Sequence, residues 1–205
     1  MKSICLKPHE VTGLLDGTVS LLVRPVEPPP GRALIQNAAG DWRGCDREGI
    51  DPNSPTFHCP FGAAGDRLWG RETWRISAFG GSSDYVAVEY RDGTVSGPIE
   101  GVQKSLVRKD GGVVWAWRPS IHMPRWACRL VIETESVRAG LVNEIMEAEV
   151  MFTGTGLAHW AGDDSKCWPR TAGFAQRWNK HYGSRHPWDT AFAWFARVKR
   201  VEVKA

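Results

Sequence analysis

The chain has 205 residues, a formal net charge of +3 and a pI near 8.7. That length suits one domain with insertions, and the weak basic excess permits nucleic-acid contact without arguing for it, because a dedicated binder concentrates its basic residues on one face. The five cysteines are odd in number and form no Cys-x-x-Cys pair, which fits free thiols in a reducing compartment, and no apolar run approaches the ~20 residues that span a bilayer.

In chain order, residues 4–6 predict a strand. Residues 8–15 predict a short helix, with Pro8 in its first turn and Gly17 at its exit. A strand over 21–26 follows, ended by Pro25. Residues 27–60, with the run Pro28-Pro29-Pro30-Gly31, predict a long loop holding at most one hairpin. Gly65-Asp66 marks a turn into a strand over 67–75. The stretch 76–112 reads as an insertion that contains a strand over 85–90 and a tight turn at 91–94. Over 128–138 the pattern alternates: Cys128, Leu130 and Ile132 share one face, while Arg129, Glu133 and Glu135 fall largely on the other, solvated one. A short helix over 143–152 and an amphipathic helix over 170–182, with Phe174, Trp178 and Tyr182 on its apolar stripe, precede a closing strand over 190–203. Strands with a few peripheral helices indicate an α+β domain built on a small barrel.

Three segments resemble one known family. They are Asp16-Gly17-Thr18-Val19-Ser20-Leu21-Leu22-Val23-Arg24-Pro25, Gly65-Asp66-Arg67-Leu68-Trp69-Gly70-Arg71-Glu72-Thr73-Trp74 and Trp117-Arg118-Pro119-Ser120-Ile121-His122-Met123-Pro124-Arg125-Trp126. Together they resemble the ASCH family of PUA-like small β-barrels, many of whose members sit in phages and prophages. The resemblance implies one ASCH/PUA-like domain over residues 1–205, with peripheral helices, a long loop and the strand-containing insertion at about 76–112.

Hydrolytic members of that family resemble a minimal amidohydrolase for acetylated cytidine. They are credited with a lysine and a threonine in the turn after the first helix and with a later glutamate. That trio can act as base, nucleophile or water-orienting group, and proton shuttle. Matched position by position, the trio falls on Val19, Leu22 and Thr153. Valine and leucine carry no acid, base or nucleophile, so the resemblance implies a pseudoenzyme that keeps a cleft and loses turnover.

The residues that remain for binding are Arg24, Arg71, Glu72, Trp74, Arg118, Ser120, His122 and Arg125. Alternation sets Arg71 and Thr73 opposite Glu72 and Trp74, and Glu72 is placed to pair with Arg24 or Arg118. That pair reads equally as a fold-holding ion pair and as a ligand contact. The proline-stiffened loop 117–126 suits nucleotide or phosphate contact as well as it suits packing over a barrel end. An enzyme using a replacement set would rely on Glu72, His122 and Arg24. Most of the eleven tryptophans are assigned to packing. His58 and Cys59 beside Pro60 lack the paired spacing of a metal site, so neither metal nor cofactor is expected.

The leading expectation is therefore a non-catalytic cytoplasmic protein, in a bacterial host if phage-encoded. It would contact RNA, DNA or a host nucleoprotein complex, and an anti-defence inhibitor such as an anti-CRISPR is one such role. The alternatives are an ASCH-type acetylcytidine amidohydrolase or ribonuclease, and a phage structural or morphogenesis component.

Overall fold

The computed structural model describes residues 1–46, 49–51, 53–80, 85–101, 115–154, 159–160, 163–167 and 170–203. Their elements in chain order are β1 (Lys2–Cys5), α1 (Pro8–Asp16), β2 (Leu21–Pro25), β3 (Leu34–Gln36), β4 (Trp42–Asp46), β5 (Gly49–Ile50), β6 (Arg67–Arg71), β7 (Trp74–Phe79), β8 (Tyr85–Tyr90), β9 (Ile99–Glu100), β10 (Leu130–Leu141), α2 (Glu147–Val150), β11 (His159–Trp160), β12 (Asp163–Cys167), α3 (Arg170–Tyr182) and β13 (Phe192–Val203). The protein is α+β and mostly strands, and no closed barrel is found among the described residues. No helix among them is long and apolar enough to cross a membrane.

The chain divides into two compact units. The first comprises Met1–Leu15, Arg67–Glu133 and Arg200–Ala205. In it β1 runs parallel to β6, with Ile4 opposite Gly70, and β6 pairs antiparallel with the start of β10. A second sheet has the order β7-β8-β9, and its β7–β8 hairpin pairs Trp74 with Tyr90 and Ile76 with Val88. Trp74, Ile76, Val86, Val88, Tyr90, Met123 and Ala127 form one apolar cluster. Strands β7 to β9 lie largely in the stretch that the sequence set aside as an insertion, and they carry much of this unit's core. Residues 102–112 of that stretch lie outside the described residues.

The single strand expected over 67–75 is two strands, β6 and β7, separated at Glu72 and Thr73. The chain changes partners there, from β1 and β10 to β8. The tight turn after β8 is as expected: Gly93 takes the left-handed region (φ +84°), and the Asp92 carboxylate accepts the Thr94 amide at 3.0 Å.

The second unit comprises Asp16–Asp66 and Thr134–Lys199. β2 pairs antiparallel with β13, Leu22 opposite Ala196. Leu21, Val23, Val142, Ile145, Val150, Phe174, Trp178 and Phe195 share its apolar cluster, so α3 buries the Phe174–Trp178 stripe read from its periodicity. The helix expected over 143–152 is broken into a 3-10 turn at 142–144, α2 and another 3-10 turn at 151–153. The long loop 27–60 contains a three-stranded sheet, β3-β4-β5, instead of one hairpin. Its strands are short, and Ile35 and Ile50 are exposed, so no buried alternation marks them in the sequence.

Candidate functional site

The three positions that carry the family chemistry belong to the second unit. The turn after α1 is closed by Asp16, whose Oδ1 accepts both the amide and the hydroxyl of Thr18, at 2.8 and 2.6 Å. These bonds hold the Asp16 carboxyl below its ordinary range. Gly17 adopts φ +83°, a conformation that strains other residues. The Ser20 amide donates to the Phe152 carbonyl at 2.9 Å, which brings this turn beside the 151–153 segment. Val19 and Leu22 are 3% and 0% exposed. Thr153 is buried too, and its hydroxyl donates to the Val150 carbonyl at 2.7 Å. The three positions offer two aliphatic side chains and a hydroxyl already bonded to backbone.

Nearby in sequence, Arg24 lies opposite Trp194 on the β2–β13 ladder and donates to the Val23 carbonyl at 2.9 Å. It belongs to the second unit, whereas Glu72, Arg118 and His122 belong to the first.

In the first unit the partner of Glu72 is neither Arg24 nor Arg118 but Arg129. Arg129 donates from Nε to Oε1 at 2.9 Å and from Nη2 to Oε2 at 2.8 Å, and Nη2 also reaches Asp92 Oδ2 at 2.7 Å. The guanidinium lies 4.0 Å from the centroid of the Tyr90 ring, and the Tyr90 hydroxyl donates to the Ala127 carbonyl at 3.0 Å. The Arg129 and Glu72 side chains are only 4% and 7% exposed. Arg129 was expected on a solvated strand face. It turns inward because two carboxylates compensate its desolvation.

Burial pushes the Glu72 carboxyl up, against the opposing pull of its Arg129 bonds. Asp92 is also penalised by burial, but its hydrogen bonds from Arg129 and Thr94 outweigh that and hold it low. Arg129, despite the burial that opposes its charge, is raised by its bonds to both carboxylates. Tyr90 is raised, first by burial and then by the Glu72 charge.

A pocket of about 80 Å³ opens beside this network, and Leu6, Val11, Thr12, Glu72, Arg91 and Asp92 are among its lining residues. Both Glu72 oxygens are engaged by Arg129, and no hydrogen bond joins Glu72 to His122 among the described residues. Nor is there a metal-ligating cluster of histidine, cysteine and acidic residues among the described residues.

The loop 117–126 is a built element. Arg71 donates from Nε to the Ser120 carbonyl at 3.0 Å and from Nη2 to the Ile121 carbonyl, while Nη1 reaches Ser3 Oγ at 3.2 Å. Arg118 and Trp74 exchange both backbone hydrogen bonds, at 2.8 and 3.2 Å. Met123 is buried, and its sulfur accepts the Glu72 amide at 3.1 Å. Two 3-10 turns, Ser120–His122 and Arg125–Ala127, follow Pro119 and Pro124. His122 and Arg125 are left exposed.

Arginine and aromatic groups are interleaved across this unit. Arg118 lies 5.0 Å from the Trp74 ring centroid, Arg71 5.8 Å from that of Trp69, and both Arg75 and Arg91 are within 5 Å of Trp117, at 4.7 and 4.5 Å. Arg75 also pairs with Glu89 at 2.7 Å. The sequence reading grouped Arg71, Trp74, Arg118 and Ser120, and the structure joins Arg71 to Ser120 and Trp74 to Arg118. It missed Arg75, Arg91, Trp117, Asp92 and Arg129, whose only signal was their spacing around a hairpin not yet known to fold back.

Charge separates the units as well. The first holds 14 lysines and arginines against 9 aspartates and glutamates, net +5; the second holds 12 against 14, net −2. The mild total of +3 thus conceals one distinctly basic unit. In comparisons with known proteins, no family model, curated protein or solved structure matches this chain.

Proposed function

We propose that this chain is a non-catalytic, ASCH-type binding module whose target is nucleic acid. The observation that carries this reading is the arginine–tryptophan cluster around the loop 117–126, in a unit of net +5. Guanidinium groups supply phosphate contacts, and aromatic and guanidinium planes supply stacking. The loss of turnover rests on the family positions: buried Val19 and Leu22, and a Thr153 hydroxyl spent on Val150. Glu72 is a fold-holding group in this reading, because Arg129 takes both its oxygens. Kinship to PUA-like barrels is part of the same proposal. It is supported by the three quoted motifs and by the adjacency of the turn after α1 to residues 151–153.

The test is a fluorescence-anisotropy titration of the full chain with labelled RNA and DNA, run beside an acetylcytidine hydrolysis assay. Salt-dependent binding without acetate release is expected. Steady hydrolysis, or no binding to any nucleic acid at low salt, would falsify the reading.

A further inference from the structure

We infer that the basic unit takes a single nucleic-acid strand and not a duplex, with phosphates on Arg91, Arg118 and Arg125 and an unpaired base against Trp115. This rests on the nucleic-acid reading above and specifies the form of its ligand.

Reading a duplex usually requires an element that enters a groove, most often a basic helix. The only α-helix among the described residues of this unit is α1, and its sequence, PHEVTGLLD, contains no lysine or arginine. The polar material instead lies on a loop whose shape is fixed beforehand by Arg71 and by the Trp74–Arg118 bridge. A surface already ordered loses little entropy on binding.

Flat groups lie on and beside that loop. Trp115, just before it, is 51% exposed, while the Arg91 guanidinium lies on Trp117. Aromatic and guanidinium faces stack on bases only where the bases are open, as they are in a single strand. Charge does not oppose an incoming backbone. Residues 115–126 contain two arginines and a histidine and no acidic residue. Nearby, Glu89 is paired with Arg75, and Glu72 and Asp92 are held by Arg129.

The experiment measures binding of one 12-nucleotide sequence as single strand and as duplex, in RNA and DNA forms, from 50 to 300 mM salt. The single strand is expected to bind at least ~10-fold tighter, with a log–log salt slope of about −2, since three phosphates each contribute roughly 0.7. Arg91→Ala, Arg118→Ala and Arg125→Ala should each flatten the slope by about 0.7. Trp115→Ala should weaken binding by ~10-fold with the slope unchanged, as lost stacking does. Duplex binding equal to or tighter than single-strand binding overturns this inference and leaves the nucleic-acid reading standing. An unaltered affinity in Trp115→Ala does the same. Failure of every form to bind overturns both.

Discussion

Arg129 grips Glu72 through two parallel bonds, at 2.9 and 2.8 Å, and turns one of the same nitrogens to Asp92 at 2.7 Å. The three groups carry a formal charge of −1 between them, and two are almost fully buried. Removing one partner leaves a charge desolvated and partly uncompensated. Glu72→Ala should therefore cost about 3 kcal/mol, the low end for a broken buried pair because Asp92 still holds Arg129. Urea denaturation measures it; a loss below about 1 kcal/mol would mean the pair does not hold the fold.

The two carboxylates should respond to pH in opposite senses. Asp92 is held low, so its contribution to stability is complete above the unfolded value near 3.8 and is lost as pH falls through the lower folded value. Glu72 is raised by burial. Its contribution is greatest below the unfolded value near 4.5 and declines as pH rises through the higher folded value. The stability gap between the wild type and Asp92→Asn, followed by denaturation, should be widest near neutrality and close in acid. For Glu72→Gln, the gap should shift in favour of the variant as pH climbs from 4 towards neutrality. Parallel curves for the two variants would contradict the assignment.

Arg71 spends its guanidinium on the carbonyls of Ser120 and Ile121. It was expected to touch ligand, and in the structure these bonds tie it to the loop 117–126. Arg71→Ala should raise amide hydrogen exchange across 120–123 and cost about 1–3 kcal/mol. It should weaken binding without flattening the salt slope. A flattened slope would return Arg71 to the list of phosphate contacts.

Placing the family trio at the three matched positions should harm the protein. Leu22→Thr places a hydroxyl and a smaller side chain at a fully buried site, at a cost of roughly 2–5 kcal/mol. Val19→Lys and Thr153→Glu each place a charge at a buried position and should lower the melting temperature further. The triple variant is expected to show no acetylcytidine turnover, because charges buried without compensation destabilise the fold that would have to hold them. Hydrolysis by a stable triple variant would contradict this expectation.

Local chemistry was legible in the sequence and long-range pairing was not. Pro8, Gly17 and the Phe174–Trp178 spacing gave α1, its exit and α3 almost to the residue, because caps and periodicity act within a few residues. That the turn after α1 lies beside residues 151–153 had no local signal, because the two are about 130 residues apart in the chain. Arg129 was misread because alternation predicts an outward side chain, and only a fold that delivers Glu72 and Asp92 to it makes the inward turn favourable. The β3-β4-β5 sheet left no trace, since its short strands bury too little to pattern the sequence. The site was visible as a list of arginines and tryptophans; which rings and which guanidinium groups meet was not.

Neither compact unit is a contiguous piece of chain. The first is assembled from three stretches and the second from two, and β10 begins in one and finishes in the other. A nonsense codon, a proteolytic nick inside β10 or a two-hybrid fragment library would therefore never release one unit intact. Genetic dissection of this protein has to proceed by point substitution in the whole chain, because truncation disrupts both units together.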